Sequence, residues 1–150
     1  MNKRLLLTIV CVFLSVFILS IGLAFSQSGD LPTWDELENG WNTIIPGGDT
    51  TCAFGTEFSF HVRPADSDKL LIFFNGGGAC WFGQICNPED PTFVPFTNDV
   101  PDPTGIFDLE NEANPFADYN MVFVSYCTGD VHLGNNVVDY EIPATEDSEA

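Results

Sequence analysis

The chain has 150 residues, with 22 acidic side chains against four basic ones and a formal net charge of −18. Such a balance excludes nucleic acid as a partner, because phosphate binding needs clustered Lys and Arg, and it opposes a tight grip on a polyanion unless a bound cation intervenes. A solvated acidic surface accounts for the acids, and a Ca²⁺ site in an acid-rich loop is the alternative.

Asn2, Lys3 and Arg4 make a short basic start before an uncharged apolar run from Leu5 to Phe25. Ala24-Phe25-Ser26 places small residues at the −3 and −1 positions of a signal-peptidase site, so residues 1–26 read as a signal peptide with Gln27 at the mature N-terminus. A run of this length would also span a bilayer as an uncleaved anchor. Either way the rest of the chain is expected outside the cytoplasm, secreted or membrane-anchored. Cys11 lies in the leader, and Cys52, Cys80, Cys86 and Cys127 follow it. An even number in an oxidising compartment reads as two disulfides. Zinc competes, but no Cys-x-x-Cys pair occurs and the histidines are His61 and His132 alone. No metal and no cofactor is expected.

Residues 27–40 read as a polar linker with one short helical segment at Thr33 to Leu37. In the next stretch Trp41, Thr43 and Ile45 alternate, Pro46-Gly47-Gly48-Asp49 turns, and Phe58, Phe60 and Val62 alternate again, the pattern of an antiparallel pair. On that alternation His61 faces away from the apolar side and is expected at the surface. Leu70 to Phe74 is apolar without alternation, as expected of a strand buried on both faces. Met121 to Tyr126 is a second strand of that kind. The Pro-, Asn- and Asp-rich segment between them is too long for a hairpin and predicts a crossover with a short helix around Asp108 to Ala113. Residues 41–150 thus read as the N-terminal part of an α/β domain, with too few elements to close its sheet.

The sequence "LLIFFNGGGACWFGQIC" runs from the buried strand into three glycines and then a tryptophan between cysteines. Glycine lets successive N–H groups converge on one point, which suits a phosphate, a carboxylate or the oxyanion of an acyl-transfer intermediate. A plain tight turn is the other reading. Together with "NPFADYNMVFVSYCTGDVHLGN", this stretch resembles the pectin acetylesterase/Notum family of secreted α/β-hydrolase-type carboxylesterases, over roughly residues 40–140. The resemblance implies ester hydrolysis by a Ser-His-Asp triad, an α/β-hydrolase-like fold, and oxyanion-hole amides at Gly77 and Gly78. Asn75 stands where the family usually has Glu, and Trp81 follows the cysteine that the family's tryptophan precedes.

No Gly-x-Ser-x-Gly elbow accompanies the loop. Beyond the leader the serines are Ser28, Ser59, Ser67, Ser125 and Ser148, none with glycine two residues away on both sides. The chain order of α/β hydrolases is oxyanion loop, Ser, acid, His, so the triad is expected beyond Ala150 and these residues alone are expected to be inactive. Asp130 and His132 form no constellation with a nucleophile; with Asn75 and Trp81 they are expected to line the substrate pocket. The short spacing of Cys80 and Cys86 suits one disulfide. If the Glu57–Arg63 strand runs antiparallel to the Met121–Tyr126 strand, Cys52 is brought toward Cys127 for the other. The expected substrate is an ester, with a neutral acetylated glycan or a small ester more compatible with this charge than anionic pectin. The alternative function is a non-catalytic, disulfide-stapled acidic module that binds sugar or Ca²⁺.

Overall fold

A computed structural model describes residues 30–141; the leader and its cleavage site lie outside these residues. Four strands form one mixed sheet: β1 (Asn42–Ile44), β2 (Phe60–Arg63), β3 (Leu70–Phe74) and β4 (Asn120–Val124), in the order β1-β2-β4-β3. β1 pairs antiparallel with β2 and β2 antiparallel with β4, in the register Phe60 opposite Val124 and Arg63 opposite Met121. β3 runs parallel to β4, Leu70 opposite Asn120 and Phe74 opposite Val124. The two parallel strands therefore end on the same edge, and the loops that follow them meet there. This mixed sheet is consistent with part of an α/β-hydrolase-like fold.

The register divides the side chains between two faces. His61, Met121, Phe123 and Phe73 share one; Phe60, Val62, Val122, Val124, Ile72 and Phe74 share the other. Residues 75–119 connect β3 to β4 and cover the first face. Phe107 packs edge-on against Phe73 and Phe123 at 5.1 and 5.7 Å, and Phe73 stacks on Phe123 at 5.6 Å. Met121, Phe123, Tyr126 and Cys127 are buried in this core.

That cover corrects the reading of His61. The alternation places it on the correct face, but that face is the core, and His61 is 2% exposed. Its Nε2 lies 2.8 Å from the Asn98 carbonyl oxygen, which only accepts, so Nε2 carries the proton and Nδ1 receives the Thr43 hydroxyl at 3.1 Å. Burial is tolerated because both ring nitrogens are satisfied.

β3 is corrected in the opposite sense. Among the described residues it stands at the edge of the sheet, half-buried on the core side at Leu71 and Phe73, while Leu70, Ile72 and Phe74 on its other side are 54%, 52% and 59% exposed. The described residues cover that second face only over β1, β2 and part of β4. There a 3₁₀ turn at Trp34–Glu36 is capped by Glu36, whose carboxylate accepts the Thr33 N–H at 2.8 Å and its hydroxyl at 3.0 Å. Leu31, Trp34 and Leu37 from this segment border a groove floored by Ile44, Phe60, Val62 and Val122.

The helix expected around Asp108 to Ala113 does not form. A 3₁₀ turn at Gly105–Phe107 is followed by turns closed by asparagine side chains: Asn111 Oδ1 accepts from Ala113 N–H, and Asn114 Oδ1 from Phe116 N–H, each at 3.0 Å. Asn114 also donates to the carbonyls of Ile106 and Asp108 at 2.9 Å. Asparagines offer the backbone local partners that compete with a helical ladder. No helix of the described residues is long and apolar enough to cross a membrane.

Candidate active site

Three segments meet at the carboxyl ends of β3 and β4: the glycine loop at 75–86, the irregular segment at 92–98 and the loop at 126–134. Ladder pairing ends at Asn75, whose N–H donates to Val124 O at 3.0 Å. The Val94 N–H donates to Gly77 O at 2.7 Å, and the Cys80 N–H donates to Gly129 O at 2.8 Å. Among the described residues the N–H groups of Gly76, Gly77 and Gly78 meet no acceptor. Three consecutive unpaired donors on a half-exposed turn make a place for negative charge.

The packing explains why two of these positions are glycine. Gly78 has φ +84°, and a Cβ there would stand 2.1 Å from Thr92 O and 2.9 Å from Phe93 Cα. A Cβ on Gly77 would meet the Tyr126 ring at 2.5 Å. Gly76 has open space around it.

The disulfides are Cys80–Cys86, closing the glycine loop, and Cys52–Cys127, anchoring the start of the second loop. The second joins segments flanking β2 and β4, which their antiparallel pairing brings together. Ala53 N–H donates to Cys127 O at 2.9 Å beside it.

A polar network backs the turn. Asn75 Nδ2 donates to Asn98 Oδ1 at 2.8 Å, and Tyr126 N–H donates to the same oxygen at 3.3 Å. The Asn98 backbone carbonyl accepts the His61 Nε2–H. The Tyr126 hydroxyl, 1% exposed as a residue, donates to Gly78 O at 2.6 Å and accepts the Val131 N–H at 3.1 Å. His132 Nε2 donates to Asn75 O at 2.8 Å, its ring lying between Tyr126 and Phe74 at 4.9 and 5.2 Å.

Asp130 holds the loop that carries His132. Its carboxylate accepts the Thr128 hydroxyl, the His132 N–H at 3.1 Å and the Gly134 N–H at 2.9 Å. Partial burial pushes the Asp130 pKa up, but the Thr128 hydroxyl and the two amides outweigh it and hold the group below the ordinary aspartate range. The same contacts support two successive non-glycine residues in the left-handed region, Val131 at φ +55° and His132 at φ +58°, a conformation that costs on the order of 1–3 kcal/mol per residue. Asp130 meets the His132 backbone and not its imidazole, so the pair forms no acid–imidazole dyad.

The structure thus brings Asn75, Gly77, Gly78, Asp130 and His132 together. Trp81 is not brought into this cluster: it is 70% exposed, with its ring edge-on to Phe82 at 6.1 Å. Ser59 and Ser125 are buried, and Ser67 Oγ caps a turn by accepting the Lys69 N–H at 3.3 Å; Ser28 and Ser148 lie outside the described residues. Sequence reasoning missed Asn98, Tyr126 and His61 as parts of the site. Tyr126 carried a signal, since it directly precedes a disulfide cysteine at the end of a buried strand; Asn98, in an irregular segment, carried none.

Residues 43–144 match the Pectinacetylesterase family. The chain belongs to that family. Both loops of the site lie within the matched residues. The chain is 30% identical over 101 residues to the palmitoleoyl-protein carboxylesterase notum2 of Xenopus laevis, covering 63% of this chain and 20% of that protein. It is 31% identical over 91 residues to the palmitoleoyl-protein carboxylesterase NOTUM of Homo sapiens, covering 56% and 18%. It is also 28% identical over 99 residues to the inactive palmitoleoyl-protein carboxylesterase notum1b of Danio rerio, covering 61% of this chain and 71% of that protein. The match thus spans about a fifth of the length of the first two relatives. No solved structure matches the chain.

Proposed function

We propose that residues 43–144 are the oxyanion-stabilising part of a secreted carboxylesterase. In this reading the amides of Gly77 and Gly78 receive the negative charge that develops on the ester carbonyl oxygen when a serine attacks it, and donors already in place need no rearrangement at that moment. One observation carries it: the Gly76, Gly77 and Gly78 N–H groups are unpaired on a turn held from behind. Family membership supports a hydrolase of esters at the coarse level.

The serine, its acid and its histidine come from outside these 150 residues, so the chain alone is inactive toward esters. The substrate is an uncharged ester, an O-acetyl group on a neutral glycan being compatible with the acidic balance of the chain. Trp81, Phe82, Phe96, Val131 and Leu133 give the site an exposed apolar rim, which suits a neutral substrate. The leader directs export. The competing Ca²⁺-module reading lacks an observation in its favour, because among the described residues no three His, Cys, Asp or Glu side chains come together.

Titration of the ¹⁵N-labelled chain with acetate, the carboxylate product of a deacetylation, tests the proposal. The Gly77 and Gly78 amide resonances should move saturably, and further than other exposed amides. Movement no greater than that of the acidic surface would refute it.

A further inference from the structure

We infer that His132 is a positioning residue for the glycine turn, working with Tyr126 from behind the amides; the inference rests on the oxyanion reading for its purpose but not for its geometry. In a trans peptide the carbonyl and the N–H of the following residue point in opposite directions. Whatever captures a carbonyl therefore aims the next amide. The His132 Nε2–H holds Asn75 O at 2.8 Å, the Val94 N–H holds Gly77 O at 2.7 Å, and the Tyr126 hydroxyl holds Gly78 O at 2.6 Å. These bonds draw three carbonyls into the body of the protein. The first two turn the amides of Gly76 and Gly78 outward, flanking that of Gly77.

Two of those three donors come from the 126–134 loop and not from the disulfide-closed glycine loop. The left-handed backbone at Val131 and His132, gripped by Asp130 and by the Tyr126 hydroxyl, swings the imidazole back under the turn. Asn75 is then held at both ends, its carbonyl by His132 and its side-chain amide by Asn98. With Nε2–H spent on Asn75, His132 acts on the charge site only through the backbone it holds.

The test uses residual dipolar couplings of the N–H bonds at 75–79 in the full chain, compared among wild type, His132→Leu, His132→Gln and Tyr126→Phe. Leucine fills the ring's space without a donor, and glutamine restores a donor at similar reach. The leucine variant should lose the fixed coupling of Gly76 while those of β2 and β4 stay unchanged, and glutamine should restore it. Tyr126→Phe should move Ala79. Acetate affinity should fall about tenfold in the leucine variant and recover with glutamine. Wild-type couplings in His132→Leu would overturn the inference. Should that variant unfold, the wild type decides: a slowly exchanging imidazole N–H whose Nε2 shows a coupling across the hydrogen bond to the Asn75 carbonyl carbon upholds it, and absence of both overturns it. If acetate leaves the wild-type glycines unmoved, the oxyanion reading fails while the couplings still decide the role of His132.

Discussion

Replacing Gly78 by alanine should cost the fold about 3 kcal/mol, whereas the same change two residues earlier should cost almost nothing. At Gly78 the backbone has φ +84°, a conformation that costs an L-residue about 1–2 kcal/mol. The new Cβ would stand 2.1 Å from Thr92 O, 2.9 Å from Phe93 Cα and 3.1 Å from Thr92 C. All three are backbone atoms, so no rotamer change relieves the clash. Moving the 92–94 segment away stretches the 2.7 Å bond from Val94 N–H to Gly77 O, worth about 1 kcal/mol. At Gly76 nothing lies within 4 Å of the place an alanine methyl would take, and φ is not left-handed, so alanine there should fall within about 0.5 kcal/mol of wild type. Urea unfolding followed by tryptophan fluorescence measures both. Equal effects at the two positions, or a Gly78→Ala loss below about 1 kcal/mol, would refute the claim that the glycine turn is built around the 92–94 segment.

The two disulfides should differ in weight, because the loops they close span 75 and 6 residues in sequence separation. Loop-closure entropy assigns about 4.5 kcal/mol to Cys52–Cys127 and about 2 kcal/mol to Cys80–Cys86, so paired serine substitutions should lower the urea midpoint more at the first. Asn98→Leu should cost about 1–3 kcal/mol, since it strands the Asn75 side-chain amide and the Tyr126 N–H that share its oxygen; a loss below about 0.5 kcal/mol by the same unfolding assay would count against the network. Asp130 has a lowered folded pKa, so its contribution is complete above the ordinary aspartate value near 3.9 and disappears as pH falls through the folded value. Protection of the His132 and Gly134 amides, taken relative to their intrinsic exchange at each pH, should therefore fall below about pH 4 in the wild type, and Asp130→Asn should remove that acid step.

Much of the sheet was legible in the sequence because strand alternation and turn residues are local signals. The antiparallel β1–β2 pair follows from two alternating runs around Pro46-Gly47-Gly48, and the Cys52–Cys127 pairing follows once β2 is laid antiparallel to β4. His61 shows the limit of such signals. Alternation places a side chain on a face, but which face becomes the core depends on where residues 75–119 lie, and that is a long-range outcome. Leu70 to Phe74 shows the same limit from the other side: an apolar run states what both faces are suited to, while actual burial requires a layer on each. The absence of a helix in the crossover turns on Asn111 and Asn114, whose side-chain bonds cannot be inferred from hydrophobic pattern. In the site, the glycine triplet stood out as a run, although only Gly78 is required for backbone reasons, whereas Asn98 is an ordinary loop residue until the fold places it between Asn75, Tyr126 and His61.

On the proposed reading, the arrangement also explains how a charge-stabilising turn can be held in place without the groups that attack the ester. A charge-stabilising turn is useful only if its donors are set before the charge appears, so its orientation must come from contacts that do not depend on the nucleophile. Here those contacts are internal to the described residues: a 2.7 Å backbone bond from Val94, a buried tyrosine hydroxyl, an imidazole held by a strained loop, and a disulfide on each side. The strain at Val131 and His132 is consistent with that demand, because only a loop bent this way delivers a donor to the Asn75 carbonyl from below. A turn serving merely to reverse the chain would need neither the buried donors nor the left-handed pair.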